Sequence, residues 1–278
     1  MVTGAAGMLG QDLIAAAGAS GHEVAAFSHV ELDITDASAV ELAVHRAQPH
    51  TVVNCAAWTD VDGAESAAAV ALSVNRDGAG NVARAAAAHG AWAIHISTDY
   101  VFDGQKRAPY LESDIAAPLS SYGRSKLAGE RAVAEAAPDA HSIVRSSWLF
   151  GAGGRCFPKT ILKLAAERDE LTVVDDQIGC PTFTGHLAGG LLSLAEREPL
   201  GIVHLAGTGQ CSWFELAVEI CSTASLRCEI VPGRTVDLGR PAPRPAYSVL
   251  ATERGEEVPR LPDWRQGLAD FLQAGVPS

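Results

Sequence analysis

The sequence predicts an α/β protein with a doubly wound parallel sheet and a smaller C-terminal subdomain. Strand-type and helix-type patterns alternate through the first half of the chain, which is typical of a parallel sheet with helices on both faces. Glycines, small residues and hydroxyl residues follow the predicted strands at Gly4 to Gly10, Ala56–Ala57 and Ser97–Asp99. Because ligands of such sheets bind beyond the carboxyl ends of the strands, these positions predict a common crevice.

The composition limits the classes of partner. The chain has 278 residues, 47% of them hydrophobic, and a net charge of −12, which suits one large unit or two closely joined subdomains. An acidic chain without a basic tract is expected to bind neither nucleic acid nor an anionic membrane. The six cysteines form no Cys-x-x-Cys pair, so we expect free thiols and no structural zinc. Lacking a signal-peptide pattern and an apolar run of about 20 residues, the chain is expected to be cytoplasmic.

The first element is a short strand that enters a glycine-rich turn with the spacing Gly-x-x-Gly-x-x-Gly. A helical pattern follows from Gln11 to Ala17. Such a turn lets backbone N–H groups approach a pyrophosphate at a helix N-terminus, as in Rossmann-type folds, although an ordinary turn has the same composition. The residues expected at the cofactor here are Gly4, Gly7, Met8, Leu9 and Gly10. Because only residues 1–3 precede the turn, we expect either a very short first strand or missing N-terminal residues.

The second strand, from Gly21 to Phe27, is followed by Ser28 and His29 instead of a carboxylate. An acidic residue at this place commonly binds the ribose 2′-hydroxyl of NAD. Its absence favours NADPH over NADH, with Ser28 donating to the 2′-phosphate, unless the two residues are merely loop. Asp33 and Ile34 are further cofactor candidates. The alternative is that this segment only caps the helix that starts at residue 37.

The next two strands are expected to end at the same crevice. The strand from Thr51 ends in Cys55, Ala56 and Ala57, whose small side chains would let the backbone lie against a cofactor. A helical run to Ala88 contains Asn75, which we expect to be a structural clamp on the backbone and not a ligand. The apolar strand from Ile94 ends in Ser97 and Thr98.

A tyrosine and a lysine, Tyr122 and Lys126, stand four residues apart at the start of a helical pattern. Residues at this spacing share one face of a helix. A nearby ammonium favours the phenolate, so Lys126 is expected to lower the pKa of Tyr122 and make it a proton donor and acceptor near neutral pH. Thr98 could then hydrogen-bond the carbonyl that is protonated. The alternative is an ordinary solvated helix face.

Beyond residue 140 the pattern continues with fewer indications of function. The expected elements are strands at 141–145, 171–174 and 201–206, and helices at 157–167, 186–196 and 213–221, the last capped by Ser212. The Pro- and Arg-rich segment 233–248 is expected to be a loop over the site. We expect a dinucleotide-binding domain at 1–148 that carries the catalytic residues. Residues 149–278 should mainly bind substrate, with some segments returning to the first domain.

The motifs together resemble the dTDP-4-dehydrorhamnose reductase family of extended short-chain dehydrogenases/reductases. The string from Ser97 to Gly104, Ser-Thr-Asp-Tyr-Val-Phe-Asp-Gly, is the most specific. Further strings of the same kind lie at Leu32–Asp36, Val53–Ala57, Ser147–Gly151, Asp175–Gln177, Pro181–Thr182, His204–Gly207, Arg244–Pro245 and Leu261–Trp264.

The resemblance implies that NADPH reduces the 4-keto group of a dTDP-4-keto-6-deoxy-L-sugar, with Tyr122 as proton donor. Lys126 would tune Tyr122 and hold the nicotinamide ribose, and Thr98 would polarise the carbonyl. Arg244 is expected to bind the diphosphate or to lie at the surface. The expected substrate contacts are Thr98, Asp99, Tyr100, Trp148, Gln177, Thr182 and Arg244, with core or loop roles as alternatives for Tyr100, Gln177 and Thr182.

Three points stay open at this level. The substrate could be another dTDP-deoxysugar, and NADH could replace NADPH. A non-catalytic NADP-binding subunit, resembling the regulatory subunit of methionine adenosyltransferase, is a third hypothesis, which the intact Thr98, Tyr122 and Lys126 disfavour. Some members of the family use a metal at a dimer contact, so Mg²⁺ is a conceivable addition, but no residue places it. We expect a monomer or a homodimer.

Overall fold

A computed structural model describes residues 1–274 as a central sheet between two layers of helices, joined to a smaller lobe. The strands are β1 Val2–Thr3, β2 Ala26–Phe27, β3 Thr51–Asn54, β4 Trp92–Thr98, β5 His141–Ser146, β6 Leu149–Phe150, β7 Glu170–Val174, β8 Ile178–Gly179, β9 Thr182–Phe183, β10 Gly201–His204, β11 Cys211–Ser212 and β12 Glu229–Gly233. The helices are α1 Met8–Ala19, α2 Ala37–Ala47, α3 Gly63–Ser66, α4 Ala68–Leu72, α5 Ala79–Ala88, α6 Ser121–Ala136, α7 Phe157–Glu167, α8 Thr184–Arg197, α9 Trp213–Thr223 and α10 Trp264–Gln273.

The central sheet has six parallel strands in the order β10-β5-β4-β3-β1-β2. From β1 the chain first moves outward to β2 and then crosses to β3 on the other side of β1. The strand order therefore reverses at β1, and the crevice between β1 and β3 is the place where doubly wound sheets bind their ligands. The predicted α/β class and parallel sheet are confirmed.

Both faces of the sheet are buried, which explains why its strands are apolar without alternation. Neighbouring residues serve opposite faces: Val52 and Ala93 pack with the layer of α2, α5 and α6, whereas Val53 and Ile94 pack with that of α1 and α8. Burying one such aliphatic side chain contributes roughly 1.5–3 kcal/mol, so the two layers fix the sheet from both sides.

Two strands are shorter than predicted. The strand predicted at 21–27 is limited to Ala26–Phe27, because it is an edge strand that pairs only with the two-residue β1. The strand predicted to reach Ala57 ends at Asn54, where the ladder with β4 also stops.

The predicted role of Asn75 is confirmed: its amide accepts from Trp58 N and donates to Trp58 O and Ser125 Oγ.

The smaller lobe is built around a separate apolar cluster that includes Phe150, Ile161, Leu216 and Trp264. Helices α7, α9 and α10 and the parallel pair β7–β12 enclose it. Strand β10 and helix α8 instead return to the large sheet. The division at residues 148/149 stays a prediction, and its last four residues, 275–278, lie outside the described part.

None of the helices within residues 1–274 combines the length and apolar character that crossing a bilayer requires. All six cysteines are free thiols, as predicted.

Candidate active site

The glycine turn and the end of β3 meet backbone to backbone at the switch point. Gly4 has a φ of +69°, and a Cβ on it would lie 2.6 Å from Ala56 N. A Cβ on Gly10 would lie 2.3 Å from Gly4 O. Only glycine fits either position, so the turn is held tightly under the start of α1. The first hydrogen bond within this helix runs from Gln11 N to Gly7 O, which leaves the preceding N–H groups without intrahelical acceptors. This cradle fits the pyrophosphate of a dinucleotide.

The other cofactor candidates near the turn divide into two groups. Met8, Cys55 and Ala57 are half-buried and lie at the crevice end of their elements. Leu9 and Ile34 belong to the two apolar clusters of the large domain, and Ile34 packs against Gly78. The cofactor role predicted for Leu9 and Ile34 stays a prediction. Since both side chains are buried in the core, such a role would fall to their backbone.

The end of β2 carries a carboxylate after all. Ser28 donates from its backbone N (2.8 Å) and its Oγ (2.7 Å) to Glu31 Oε2. These two hydrogen bonds lower the pKa of Glu31. Binding of a 2′-phosphate by Ser28 stays a prediction, and Ser28 would have to exchange its hydrogen bonds to Glu31 for bonds to that phosphate. Asp33 is likewise engaged, since it accepts from Thr35 N and Oγ1.

The end of β4 and the start of α6 bring the three catalytic candidates together. Ser120 caps α6 by accepting from Gly123 N, and Glu65 holds Ser121 by its N and Oγ. The helix start lies directly against the turn after β4, because a Cβ on Gly123 would come within 2.3 Å of Tyr100 O. Tyr122 thereby contacts Thr98, whose hydroxyl lowers the pKa of the phenol.

The protonation states differ from the prediction for Tyr122. Burial raises its pKa to about 12, with the Thr98 hydroxyl opposing and Asp99 adding to the rise. Lys126 Nζ donates to Ile96 O (2.7 Å) and lies 3.3 Å from His95 Nε2. Burial instead lowers the pKa of Lys126 itself, to about 8.

Asp99, predicted as a substrate contact, is only 1% exposed. Thr98 Oγ1 donates to its Oδ1 (3.0 Å) and Ser248 Oγ to its Oδ2 (2.5 Å), so it joins β4 to the segment 233–248. Burial raises the pKa of Asp99 to about 7. These bonds give Asp99 a supporting position behind Thr98, and its contact with substrate stays a prediction. Tyr100 does face the site, edge-on to Tyr122 at 5.8 Å between ring centroids.

Trp148 is the aromatic residue at the junction of the two lobes. It has a φ of +47°, and its half-buried ring stacks on Trp213 at 3.6 Å and 4°. Gly179 lies beneath the ring, since a Cβ there would reach Trp148 Cε2 at 2.4 Å. A left-handed backbone in a tryptophan is strained, and such strain clusters at ligand sites. The substrate contact of Trp148 stays a prediction, and the exposed part of its ring lies where the two lobes meet.

Three predicted substrate residues are engaged within the protein. Gln177 is buried, donates to Thr235 Oγ1 and accepts from Trp213 Nε1. Thr182 is fully buried and accepts from Gly207 N. Both side chains fix loops of the small lobe, which agrees with the alternative role stated for them, and their contact with substrate stays a prediction. Arg244 is half-buried and forms a bidentate pair with Asp62, at 3.0 and 2.9 Å.

The chain matches the family model described as the RmlD substrate binding domain over residues 1–276. It is 43% identical over 282 residues to a dTDP-4-dehydrorhamnose reductase of Streptomyces griseus, covering 99% of this chain and 93% of that protein.

The chain belongs to the RmlD substrate binding domain family.

Two further proteins are similar to the chain over nearly its whole length. A probable dTDP-4,6-dihydroxy-2-methyloxan-3-one 4-ketoreductase of Streptomyces antibioticus is 40% identical over 279 residues, covering 97% of this chain and 93% of that protein. The crystal structure of a dTDP-4-dehydrorhamnose reductase from Bacillus anthracis str. Ames in complex with NADP superposes with a TM-score of 0.95, at 39% identity, covering 98% of both chains.

In this member of the family, several residues at the site escaped sequence analysis. Asn54 and His95 are buried polar residues in otherwise apolar strands. A single polar residue within an apolar run is visible in the sequence and could have singled them out. Asp62 is a loop residue whose partner Arg244 only the fold brings near, whereas Glu31 lies three residues from its partner Ser28. Within residues 1–274, no three His, Cys, Asp or Glu side chains are grouped so that they could hold a metal ion.

Proposed function

We propose that this chain uses NADPH to reduce the 4-keto group of a dTDP-4-keto-6-deoxy-L-sugar, converting dTDP-4-dehydro-L-rhamnose to dTDP-L-rhamnose. The observation that carries the proposal is the assembly of Thr98, Tyr122 and Lys126 at the carboxyl edge of the sheet, next to the glycine cradle. Relatives named dTDP-4-dehydrorhamnose reductase, similar over nearly the whole chain, support it.

The cradle would hold the dinucleotide. The close approach of Gly4 and Gly10 leaves backbone N–H groups at the start of α1 for its phosphates, and Ala56 closes the other side of the crevice. NADPH, when bound, supplies the hydride, and the protein orients it towards the substrate. The solved relative in complex with NADP supports the choice of cofactor.

Tyr122 would donate the proton to the carbonyl oxygen. Its raised pKa of about 12 keeps the phenol protonated at neutral pH, which is the form that a reduction requires. Thr98, which contacts Tyr122, would direct its hydroxyl at the same oxygen as negative charge develops there. To do so it must exchange its present hydrogen bond to Asp99 Oδ1 for one to the substrate.

The nucleotide part of the substrate would lie between the lobes. Trp148, stacked on Trp213, offers an aromatic surface for the sugar or the thymine. Arg244 carries the positive charge for a diphosphate, next to Tyr100, and would leave Asp62 or share it when the substrate binds. The large domain, 1–148, would thus bind the cofactor and 149–278 mainly the substrate.

A second candidate is a 4-ketoreductase for another dTDP-deoxysugar. The relative of Streptomyces antibioticus, 40% identical over nearly the full chain, favours it. A non-catalytic NADP-binding subunit is less well supported, because a binding protein would not need a phenol and a hydroxyl in contact beside the crevice. A cytoplasmic location and a monomeric or homodimeric state are retained as predictions.

A panel of dTDP-4-keto sugars tests the proposal. NADPH oxidation would be followed with each sugar, and NMR would determine the configuration at the new carbinol carbon. Preferred turnover of dTDP-4-dehydro-L-rhamnose to the L-rhamno product supports the first candidate. Preference for another sugar supports the second, and activity on none contradicts both.

A further inference from the structure

His95 lies in β4 directly behind the catalytic residues and is 2% exposed. Its two ring nitrogens contact two side chains, Asn54 and Lys126. Which nitrogen carries the proton can be worked out from the neighbours, beginning with a group whose role is unambiguous. That group is the backbone N–H of Ala56, which can only donate.

The amide of Asn54 has one orientation. Its Oδ1 accepts from Ala56 N (3.1 Å) and from Thr3 Oγ1 (2.7 Å). If the amide were flipped, its NH₂ would face the N–H of Ala56 and two donors would meet. The NH₂ group therefore points the other way, where Nδ2 lies 3.2 Å from His95 Nδ1.

This orientation fixes the proton of the imidazole. Because Asn54 Nδ2 donates, His95 Nδ1 must accept, and in a neutral ring the proton then resides on Nε2. The Nε2–H faces Lys126 Nζ at 3.3 Å. A charged ammonium has only donors and would oppose this N–H, whereas a neutral amine has a lone pair that can accept from it.

We propose that Asn54 locks His95 in its Nε2–H tautomer and that His95, as a positioning residue, thereby favours the neutral amine of Lys126. The hydrogen-bond chain runs from His95 Nε2–H to Lys126 Nζ and from Nζ to Ile96 O, which accepts at 2.7 Å. The importance of this hydrogen-bond chain for catalysis rests on the proposed reductase function. The presence of the chain in the protein does not depend on that function.

The other groups around Lys126 are consistent with this arrangement. Glu130, one turn further along α6, and the Cys55 thiol after β3 both act to raise the pKa of Lys126. Glu130 is balanced by Arg145, which binds it with two hydrogen bonds. Burial outweighs both influences and lowers the pKa of Lys126 to about 8, while burial and Lys126 hold the pKa of His95 well below its usual range.

A lysine with a lowered pKa should take up a proton when an anionic dinucleotide binds beside it. Near pH 8, where the free protein holds Lys126 partly neutral, NADPH binding is therefore expected to be accompanied by proton uptake. Calorimetry in buffers of different ionisation enthalpy measures this uptake without any turnover.

The first test measures the tautomer in the unmodified protein. Long-range ¹H–¹⁵N NMR spectra of ¹⁵N-histidine-labelled protein distinguish a protonated Nε2 from a protonated Nδ1, and loss of one signal in His95→Gln assigns His95. A neutral Nε2–H ring between pH 6 and 8 is expected. An Nδ1–H ring, or an imidazolium, would overturn the proposal.

The second test reverses the tautomer that Asn54 imposes on His95. In Asn54→Asp, a carboxylate oxygen replaces the donor that faces Nδ1, while the other oxygen keeps the bonds from Ala56 N and Thr3 Oγ1. The proton should move to Nδ1, the Nε2 lone pair should face Lys126, and the ammonium should be favoured. The titration midpoint of Lys126, one of four lysines in the chain, is expected to move to higher pH, where the proton concentration is at least about tenfold lower. The proton uptake that accompanies NADPH binding near pH 8 should then fall, because more of Lys126 is already protonated in the free variant.

An unchanged Lys126 titration in folded Asn54→Asp would contradict the proposal. If Asn54→Asp does not fold, the tautomer in the unmodified protein decides. None of these measurements uses the keto sugar, so absence of reductase activity would refute the proposed function and leave the His95 assignment intact.

Discussion

Two sets of polar side chains are predicted to serve the site, and the protein holds them in different ways. Thr98 and Tyr122 lie at the end of a strand and the start of a capped helix, so the backbone positions them and their hydroxyls meet at the site. Gln177, Thr182 and Arg244 lie on loops and very short elements, and their hydrogen bonds hold those segments to the rest of the protein.

The comparison shows what regular structure contributes to a site. Where a sheet ladder and a helix cap already fix the backbone, a polar side chain can be kept for a ligand. Where the backbone has no ladder, polar side chains must fix the loop itself. The sharpest tests therefore remove one group from each set and compare the effect on turnover with that on binding or stability.

The largest effect is expected for Tyr122→Phe. Removing the proton donor should lower kcat by about 10²- to 10⁴-fold, while the Kd for NADPH changes little, because the phenol is not part of the glycine cradle. Steady-state assays and fluorescence titration measure the two quantities. Tyr247→Phe, which loses only a hydrogen bond from the tyrosine hydroxyl to Gln210, is the matched control and should keep its kcat. Equal activity of both variants would remove Tyr122 from the mechanism.

Asp99→Asn tests how ionisation of Asp99, which lies behind Thr98, changes the free energy of unfolding. Because burial raises the pKa of Asp99 from 3.8 to about 7, ionising it costs the folded state stability. The folded protein binds this proton more tightly than the unfolded chain, so stability falls as the pH rises from about 4 to 7, by up to about 4 kcal/mol. The neutral amide should abolish that loss, making the variant more stable than the wild type at pH 8 but not at pH 5.

Urea unfolding of both proteins at pH 5 and pH 8 measures the difference. Asp103→Asn is the control, because the contribution of Asp103 to stability changes with pH in the opposite direction. Hydrogen bonds from Gln105 N and Tyr110 lower the pKa of Asp103, so its contribution is lost as the pH falls. Parallel pH profiles of wild type and Asp99→Asn would show that Asp99 is not the buried acid described here.

Sequence analysis predicted the site best where geometry follows from periodicity. Gly10 is required by its contact with Gly4 within one turn, and Tyr122 and Lys126 share a helix face by their spacing alone. The direction of Lys126 Nζ was not predictable, because it depends on the carbonyl of Ile96 in a neighbouring strand. The pairing of Arg244 with Asp62 joins residues 182 positions apart, and no local pattern encodes it.

Arg244→Ala distinguishes a substrate contact from a loop clamp. If Arg244 binds the diphosphate, KM for the dTDP-sugar should rise on the order of tenfold with a smaller change in kcat, since bidentate charge-assisted hydrogen bonds are lost. Asp62→Asn leaves Arg244 in place and weakens the clamp, including the bonds that Asp62 accepts from Arg240 and from Ala242 N. Because Arg244 holds the pKa of Asp62 at about 2, the pair is charged throughout pH 5–9 and the effect should not vary with pH there.

The two variants and their double mutant form a cycle. Equal KM changes for Arg244→Ala, Asp62→Asn and the double mutant would show that Arg244 acts only through Asp62. A larger change for Arg244→Ala than for Asp62→Asn would assign it to the substrate. The cycle therefore decides whether this loop residue belongs with Thr98 and Tyr122 or with Gln177 and Thr182.

The smallest effect is expected at the adenosine end of the crevice. Glu31 occupies the donors of Ser28 that a 2′-phosphate would need, and its negative charge opposes that phosphate. Glu31→Gln should lower KM for NADPH on the order of threefold, because an exposed charge is strongly screened by water and salt. KM for NADH, which has no 2′-phosphate, should hardly change, and the preference should weaken at high salt. A parallel change for both cofactors would mean that Glu31 acts through the loop conformation and not through its charge.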